Sequence, residues 1–469
     1  MPAWMHRKPI DADDVGTRHR LHRSLSWWHL IALGVGAIVG TGIYTLIGVG
    51  ANLAGPGVML SFVVAGVVCA CAALAYAEVA TMIPASGSAY TYSYVALGEL
   101  IAWIVGWCLI LEYSLVVSAV AVGWSGYAVG FLNSFGLELP LALTAGPHAG
   151  GILNVPAIFI IACVAGLLIL GTRESATVNA LLVVIKLAAL LIFVAVALPA
   201  FDAAHFVPFM PYGFAKSDIE GLERGVMAAA AIIFFAYYGF DAISTAAEEA
   251  KNPARDLPIG IVGSMLACTA LYIVVAAAAV GAAPFKDFAA SPEPLALIMR
   301  QLGHERMAAL VGAAAIVALP TVILAFLYGQ TRIFFVMARD GLLPSGLATV
   351  SAKTGTPVRI TLLTGIVVAI LAGLIPLDRI AALANAGTLA AFIAVSVCVL
   401  VMRQREPRRA RVFKTPAVWL VAPLAILGCL YLLWNLPRQT QMFFLLWNVI
   451  GLAAHVIRRM AFKPAVKTA

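Results

Sequence analysis

The chain has 469 residues, of which 62% are hydrophobic and only 11% charged, with a mean hydropathy of +0.99. A soluble domain carries about 25% charged residues, so this composition excludes one and describes an integral membrane protein. The formal net charge of +8 would suit a nucleic-acid binder, but its distribution along the chain points elsewhere.

The N-terminal stretch 1–26 is charged and shows no small-residue cleavage site before the first apolar run, so it reads as a retained arm and not a signal peptide. Twelve apolar stretches follow, at 27–48, 57–83, 98–130, 154–171, 176–198, 226–249, 259–282, 307–337, 360–375, 380–402, 417–436 and 440–457. Each approaches the roughly 20 residues that span a bilayer as helix. They are too long for the strands of an outer-membrane barrel. The expected fold is therefore an all-α integral membrane protein with twelve transmembrane helices. Its parts are a cytoplasmic arm (1–26), a ten-helix core (27–402), a basic cytoplasmic loop (403–416), two further helices (417–457) and a tail (458–469). With the N-terminus inside, 21 Lys and Arg residues fall on the cytoplasmic side and seven outside. That asymmetry places both termini in the cytoplasm and explains the basic surplus without nucleic acid. Of the loops on the other side, 131–153, 199–225 and 283–306 are long enough to cover a mouth, and the last has room for a short surface helix.

The first apolar stretch contains GVGAIVGTG at residues 34–42. The dinucleotide fingerprint GxGxxG fails here because its third glycine would be Val39, and no strand precedes it. Two readings remain open. Gly36 and Gly40 form a GxxxG face for helix packing, or the helix is broken at mid-membrane to hold a ligand. In the second case residues Ile38, Val39, Gly40, Thr41 and Gly42 leave helical geometry, freeing carbonyls for an ammonium and N–H groups for a carboxylate. The sixth stretch has its own interruption in FFAYYGFDAIS, with Gly239 after four aromatics and Asp241 near mid-span. The two stretches lie five helices apart. An inverted repeat of about 27–198 and 226–402 would bring the breaks together.

Five ionisable residues inside apolar stretches stand out, being costly there unless paired or functional. Lys186 is ten residues beyond Ala176, about 15 Å along a helix, too deep to reach the interface by snorkelling. It reads as a proton carrier, since a desolvated lysine can lose and regain a proton, or as a charged bridge between helices. Glu112 faces the pocket or tethers a helix. Asp241 caps N–H groups of the second break or takes part in proton transfer. Arg332, in RIFFVMARD, reads as part of an inner-gate charge network. Glu78 reads as a tether at the inner end of the second helix. Phe235, Tyr237, Tyr238 and Phe240 are placed to wall a pocket, with Phe235 as a lid.

The seven cysteines all lie in apolar stretches, an odd and scattered set that argues against a disulfide framework or a metal site. The eight histidines sit in the arm, in loops or near helix ends, and no HExxH occurs, so an enzyme is not expected. No repeated filter motif suggests a channel.

GVGAIVGTGIY, PASGSAYTYSYVALGE (read as a loop), LILEY, ESATVNALLVVIK, FFAYYGFDAISTAAEEAKNPARDLPIGI, GQTRIFFVMARDGLLP and NAGTLAAF together resemble the amino acid–polyamine–organocation (APC) superfamily. More narrowly the chain is similar to bacterial members of the cationic amino acid transporter family, over about residues 25–457. The resemblance implies a five-plus-five inverted repeat with helices 1 and 6 unwound, and proton-coupled amino acid uptake across a bacterial inner membrane. The implied ligand is an L-amino acid. Its carboxylate would meet Thr41 and Gly42, and its ammonium the carbonyls of Ile38, Phe235, Ala236 and Tyr238. Lys186 matches a lysine that replaces a sodium site, so the proton is the expected coupling ion, with no sodium site, metal or other cofactor. Glu112 matches a helix 3 glutamate beside the pocket. Tyr238 stands where relatives carry a small aliphatic residue, which favours neutral over cationic substrates. An exchanger, a membrane-embedded amino acid sensor and a small single-helix membrane partner stay open.

Overall fold

Two of the helices that hydropathy draws as continuous are interrupted, and everything else in the bundle is arranged around those interruptions. The computed structural model describes residues 7–8, 25–83, 87–171, 176–241, 243, 250–349, 351 and 356–461. Within them the chain is predominantly helical. Among the described residues eight helices are long and apolar enough to cross a membrane, and four apolar helices are shorter.

In chain order the first apolar stretch becomes α1 (Trp27–Ile38), α2 (Thr41–Tyr44) and α3 (Leu46–Ala54). A turn at Gly55–Gly57 leads into α4 (Val58–Met82), followed by α5 (Ser88–Ala96) and α6 (Glu99–Asn133). Next come α7 (Val155–Ile169), α8 (Ala176–Ala197) and the short α9 (Val226–Ile233), which tightens into a 3₁₀ turn over Phe234–Tyr237. The rest is α10 (Pro253–Ala282), α11 (Pro294–Gln301), α12 (Glu305–Arg339), α13 (Val358–Leu374), α14 (Leu377–Arg405), α15 (Val418–Asn435) and α16 (Arg438–Ala461). The second half of the predicted sixth stretch lies mostly outside the described residues.

Two local expectations change. The PASGSAYTYSYVALGE stretch is mostly helix α5, because no proline or glycine interrupts residues 88–97 and its tyrosines bury against the bundle; Tyr90 and Tyr92 are fully buried. The all-α expectation misses one hairpin, in which Ser217–Ile219 pairs antiparallel with Leu222–Arg224 around Glu220–Gly221, both with positive φ. Cys163 is exposed on α7, whereas five of the other six cysteines are buried; all seven are free thiols. The short helix expected in 283–306 is present as α11. Its preceding Glu293 is buried against Gly130 and ion-paired with Arg300. Burial pushes that carboxyl above the usual range, and Arg300 opposes the shift.

Helix α6 is the central post. It packs most extensively against α12 and α14 and also touches α5, α7, α13 and α16. Helices α1, α4 and α10 form a second layer, with α8 bridging α1, α10 and α12. The tether read at Glu78 is present. Arg403 grips both carboxylate oxygens (2.7 and 2.8 Å), Arg411 lies 3.2 Å away, and the Thr415 N–H donates at 2.8 Å. A carboxylate only 1% exposed is tolerable because it is paired bidentately and fully bonded. The knot ties α4 to α14 and to the basic segment after it.

Candidate functional site

The geometry starts from a backbone problem. The α1 ladder stops when the Val39 N–H bonds Val35 O (2.8 Å) and Val39 turns extended (ψ 102°). Helical bonding resumes with Ile43 and Tyr44, both donating to Gly40 O at 3.2 Å. Thr41 and Gly42 thus occupy the first turn of a helix, where N–H groups have no upstream carbonyl. On the other side of the gap the last carbonyls of α1 lose their usual acceptor role in the ladder. Side chains from other helices fill it. The Lys186 Nζ donates to Gly36 O (2.8 Å) and to Thr321 Oγ1 (3.0 Å), and the Tyr272 hydroxyl donates to Ile38 O (2.9 Å). Lys186 and Tyr272 are fully buried.

The second break is built differently. After the 3₁₀ turn, Tyr238 is extended (φ −64°, ψ 148°) and Gly239 takes φ +112°, a region that favours glycine. Here the anchor is Asn385 of α14. Its amide donates to Ala231 O (2.6 Å) and Ile232 O (2.9 Å), and its Oδ1 accepts the Tyr238 hydroxyl.

The two breaks touch. A Cβ placed on Gly42 would lie 2.3 Å from the Ala236 Cα, and one on Gly239 would lie 2.6 Å from the Ala37 Cβ and 2.7 Å from the Ala37 carbonyl carbon. The backbones cross at van der Waals distance because neither glycine carries a side chain. Gly40 is less constrained, its nearest neighbour being a Val322 methyl at 3.4 Å. The Thr41 Oγ1 and Thr45 Oγ1 are buried, face Gly123 of α6, and have no hydrogen-bond partner among the described residues.

Of the residues singled out from sequence, Ile38, Gly40, Thr41, Gly42, Phe235, Ala236, Tyr238 and Gly239 come together at this crossing, and Lys186 of α8 meets α1 beside it, at Gly36. The Phe235 and Tyr238 rings pack at 4.9 Å. Glu112 and Asp241 are buried on the α6 and α14 side. Glu112 sits against Gly387 and within reach of Thr388, with its Oε2 unbonded among the described residues. Asp241 lies beside the Tyr113 side chain. Arg332 is not brought to the site. It is exposed on α12 and folds back over Tyr328, its guanidinium 4.0 Å from the ring centre. Sequence reasoning missed Tyr272, Thr321 and Asn385. Asn385 carried a signal, a lone amide in an otherwise apolar stretch; Tyr272 and Thr321 carried none.

The family model described as "Amino acid permease" matches residues 25–456. The chain is 47% identical over 441 residues to the branched-chain amino acid permease BcaP of Bacillus subtilis (strain 168), covering 93% of each chain. It is 40% identical over 455 residues to the methylthioribose transporter of the same organism, covering 96% of each. To the vacuolar cationic amino acid transporter 4 of Arabidopsis thaliana it is 37% identical over 414 residues, covering 87% of this chain and 68% of that one. With two helices broken and crossed at glycines and a family model spanning nearly its whole length, the chain belongs to the amino acid permease family of the APC superfamily, among relatives that include cationic amino acid transporters.

Proposed function

We propose that the protein is a proton-coupled L-amino acid symporter of the bacterial inner membrane, working by alternating access and favouring neutral amino acids. The observation that carries this reading is the crossing of the two breaks beside a fully buried lysine. In this reading the chain has twelve spans, cytoplasmic termini and a five-plus-five inverted repeat, for which the five-helix separation of the two breaks is the support.

The substrate carboxylate takes the first-turn N–H groups of Thr41 and Gly42 together with the unpartnered Thr41 hydroxyl. The ammonium takes carbonyls at the break ends. Ile38 O already accepts from Tyr272 but has a second lone pair for it. Protonated Lys186 pins α1 to α12 through Gly36 O and Thr321. Loss of the proton turns a charge-assisted bond into a weaker neutral one and loosens α1, which couples the proton to the movement of the half-helix. No sodium enters this cycle. The branched-chain substrate in the name of BcaP and the aromatic wall of Phe235 and Tyr238 support a neutral, apolar side chain. The unbonded Glu112 oxygen favours the second reading, a cationic amino acid carrier.

The test is uptake into proteoliposomes of labelled leucine, valine, arginine, lysine and methylthioribose, with and without an inward proton gradient and with sodium replaced. Gradient-driven accumulation of leucine or valine, indifferent to sodium, is expected. Accumulation of arginine alone would favour the second reading. Equal exchange regardless of the gradient would remove the proton role, and no saturable transport by folded protein would favour a sensor.

A further inference from the structure

The last helix meets the start of α6 at the end of the bundle that the Lys and Arg bias assigns to the cytoplasm. The contact is an indole ladder. Trp103 Nε1 donates to Gly451 O (2.7 Å), Trp107 Nε1 to Trp447 O (2.8 Å) and Trp447 Nε1 to Trp107 O (3.0 Å), with the Trp107 and Trp447 rings stacked at 4.6 Å. One turn beyond, the His455 ring tilts over Trp103 with centroids 5.4 Å apart. His455 is 3% exposed, and neither ring nitrogen has a hydrogen-bond partner among the described residues. A buried imidazole with both nitrogens unsatisfied is uncommon, because each unmet group is destabilising.

His455 also lines a groove of about 530 Å³ with Leu100, Val456, Arg459 and Met460. Apart from the histidine and the arginine, the described lining residues are aliphatic or thioether. Of the two arginines at this end of α16, Arg459 lines the groove and Arg458 does not. Arg458 is engaged: it donates to Glu99 (2.8 Å) and to Gly341 O and lies over Trp103 at 5.7 Å. Arg459 is 32% exposed and reaches Glu99 only at 3.8 Å. Among the described residues Arg458 and Arg459 outnumber Glu99 here, and the neighbouring Asp340 is paired with Lys8, so the mouth is net positive above an apolar floor.

We infer that this groove binds an anionic phospholipid of the adjoining leaflet. The phosphodiester accepts from Arg459 and from the imidazole N–H of His455, and an acyl chain lies over Leu100, Val456 and Met460. Charge complementarity and the position at the end of a membrane helix select this occupant, since basic pockets at that depth meet acidic headgroups. The inference needs the chain to sit in a membrane, but it is independent of the substrate and of Lys186.

The test uses the full-length protein in detergent, stripped of lipid and titrated with phosphatidylglycerol or with phosphatidylcholine of the same chains, adducts being counted by native mass spectrometry. The expected result is one phosphatidylglycerol bound at concentrations where phosphatidylcholine is not. Arg459→Gln and His455→Phe should each weaken it about tenfold, as loss of one charge-assisted or buried bond would. The phenylalanine keeps the ring packed on Trp103, and melting temperature serves as the check that both variants fold. A third arm adds millimolar inorganic phosphate, which is expected to leave the lipid bound. Equal binding of the two lipids, unchanged affinity in both folded variants, or displacement by phosphate alone would each overturn the lipid site.

Discussion

The two helix breaks solve the same problem with opposite chemistry. At the first, freed carbonyls are capped from a distance by a cation and a phenol, Lys186 and Tyr272, on two different helices. At the second, one neutral amide, Asn385, bonds two carbonyls and a hydroxyl from a single helix. A cap with a charge can be switched by a proton; a cap made of amide bonds cannot. On the proposed proton coupling the first break is the one that moves and the second the one that stays fixed, and the difference says which substitutions should separate them.

The largest effect is expected where both breaks depend on the same feature. Gly42→Ala drives a methyl to 2.3 Å from the Ala236 Cα, and Gly239→Ala adds a side chain at φ +112° against the Ala37 backbone. Overpacking costs about 1–3 kcal/mol, and at Gly239 the left-handed backbone adds about 1–2 kcal/mol. Both variants should lose nearly all uptake and melt lower. Gly40→Ala meets only a Val322 methyl at 3.4 Å and should keep most of both. If Gly40→Ala were as damaging as Gly42→Ala, the glycines would serve chain flexibility and not close approach.

Next come the caps. Lys186→Met fills similar volume but leaves Gly36 O and Thr321 without that donor. Accumulation against a gradient should fall to simple equilibration, while binding of leucine, read by isothermal titration, changes less. Asn385→Leu should do the reverse. It strips two carbonyls and a tyrosine hydroxyl of their partner, at about 1–3 kcal/mol for each buried group left unsatisfied. The melting temperature should drop, while whatever uptake remains still responds to the proton gradient. Loss of gradient response in the asparagine variant as well would erase the distinction between the breaks.

How much of this was legible beforehand follows from which interactions are local. Glycine spacing and the aromatic run marked both breaks, because backbone freedom is written in residue type. Lys186 stood out because a charge in an apolar stretch is costly wherever it packs. Tyr272 and Thr321 were invisible, since a tyrosine or threonine among aliphatics fits any membrane helix and its partner lies on another. The place of Arg332 was not legible for the same reason. Its charge was conspicuous, but the direction it faces on α12 depends on packing, and Tyr328 four residues earlier satisfies it locally. The α5 stretch was misread through its flanking Pro and Gly, although the segment between them has none.

The smallest expected effect separates the two phenols. Tyr272→Phe removes the donor to Ile38 O, and Tyr238→Phe removes the donor to Asn385 Oδ1. Each deletion should cost about 1 kcal/mol of stability, the net worth of a typical hydrogen bond, so melting alone will not tell them apart. Substrate dependence should. Freed from Tyr272, Ile38 O has both lone pairs for the substrate ammonium, so the KM for leucine uptake should hold or fall slightly in Tyr272→Phe. In Tyr238→Phe the lost tie lets the aromatic wall shift, and KM should rise a few-fold with little change in the response to pH. The opposite pattern, a raised KM for Tyr272→Phe and none for Tyr238→Phe, would mean that the first break holds the fixed half of the site and the second the mobile one.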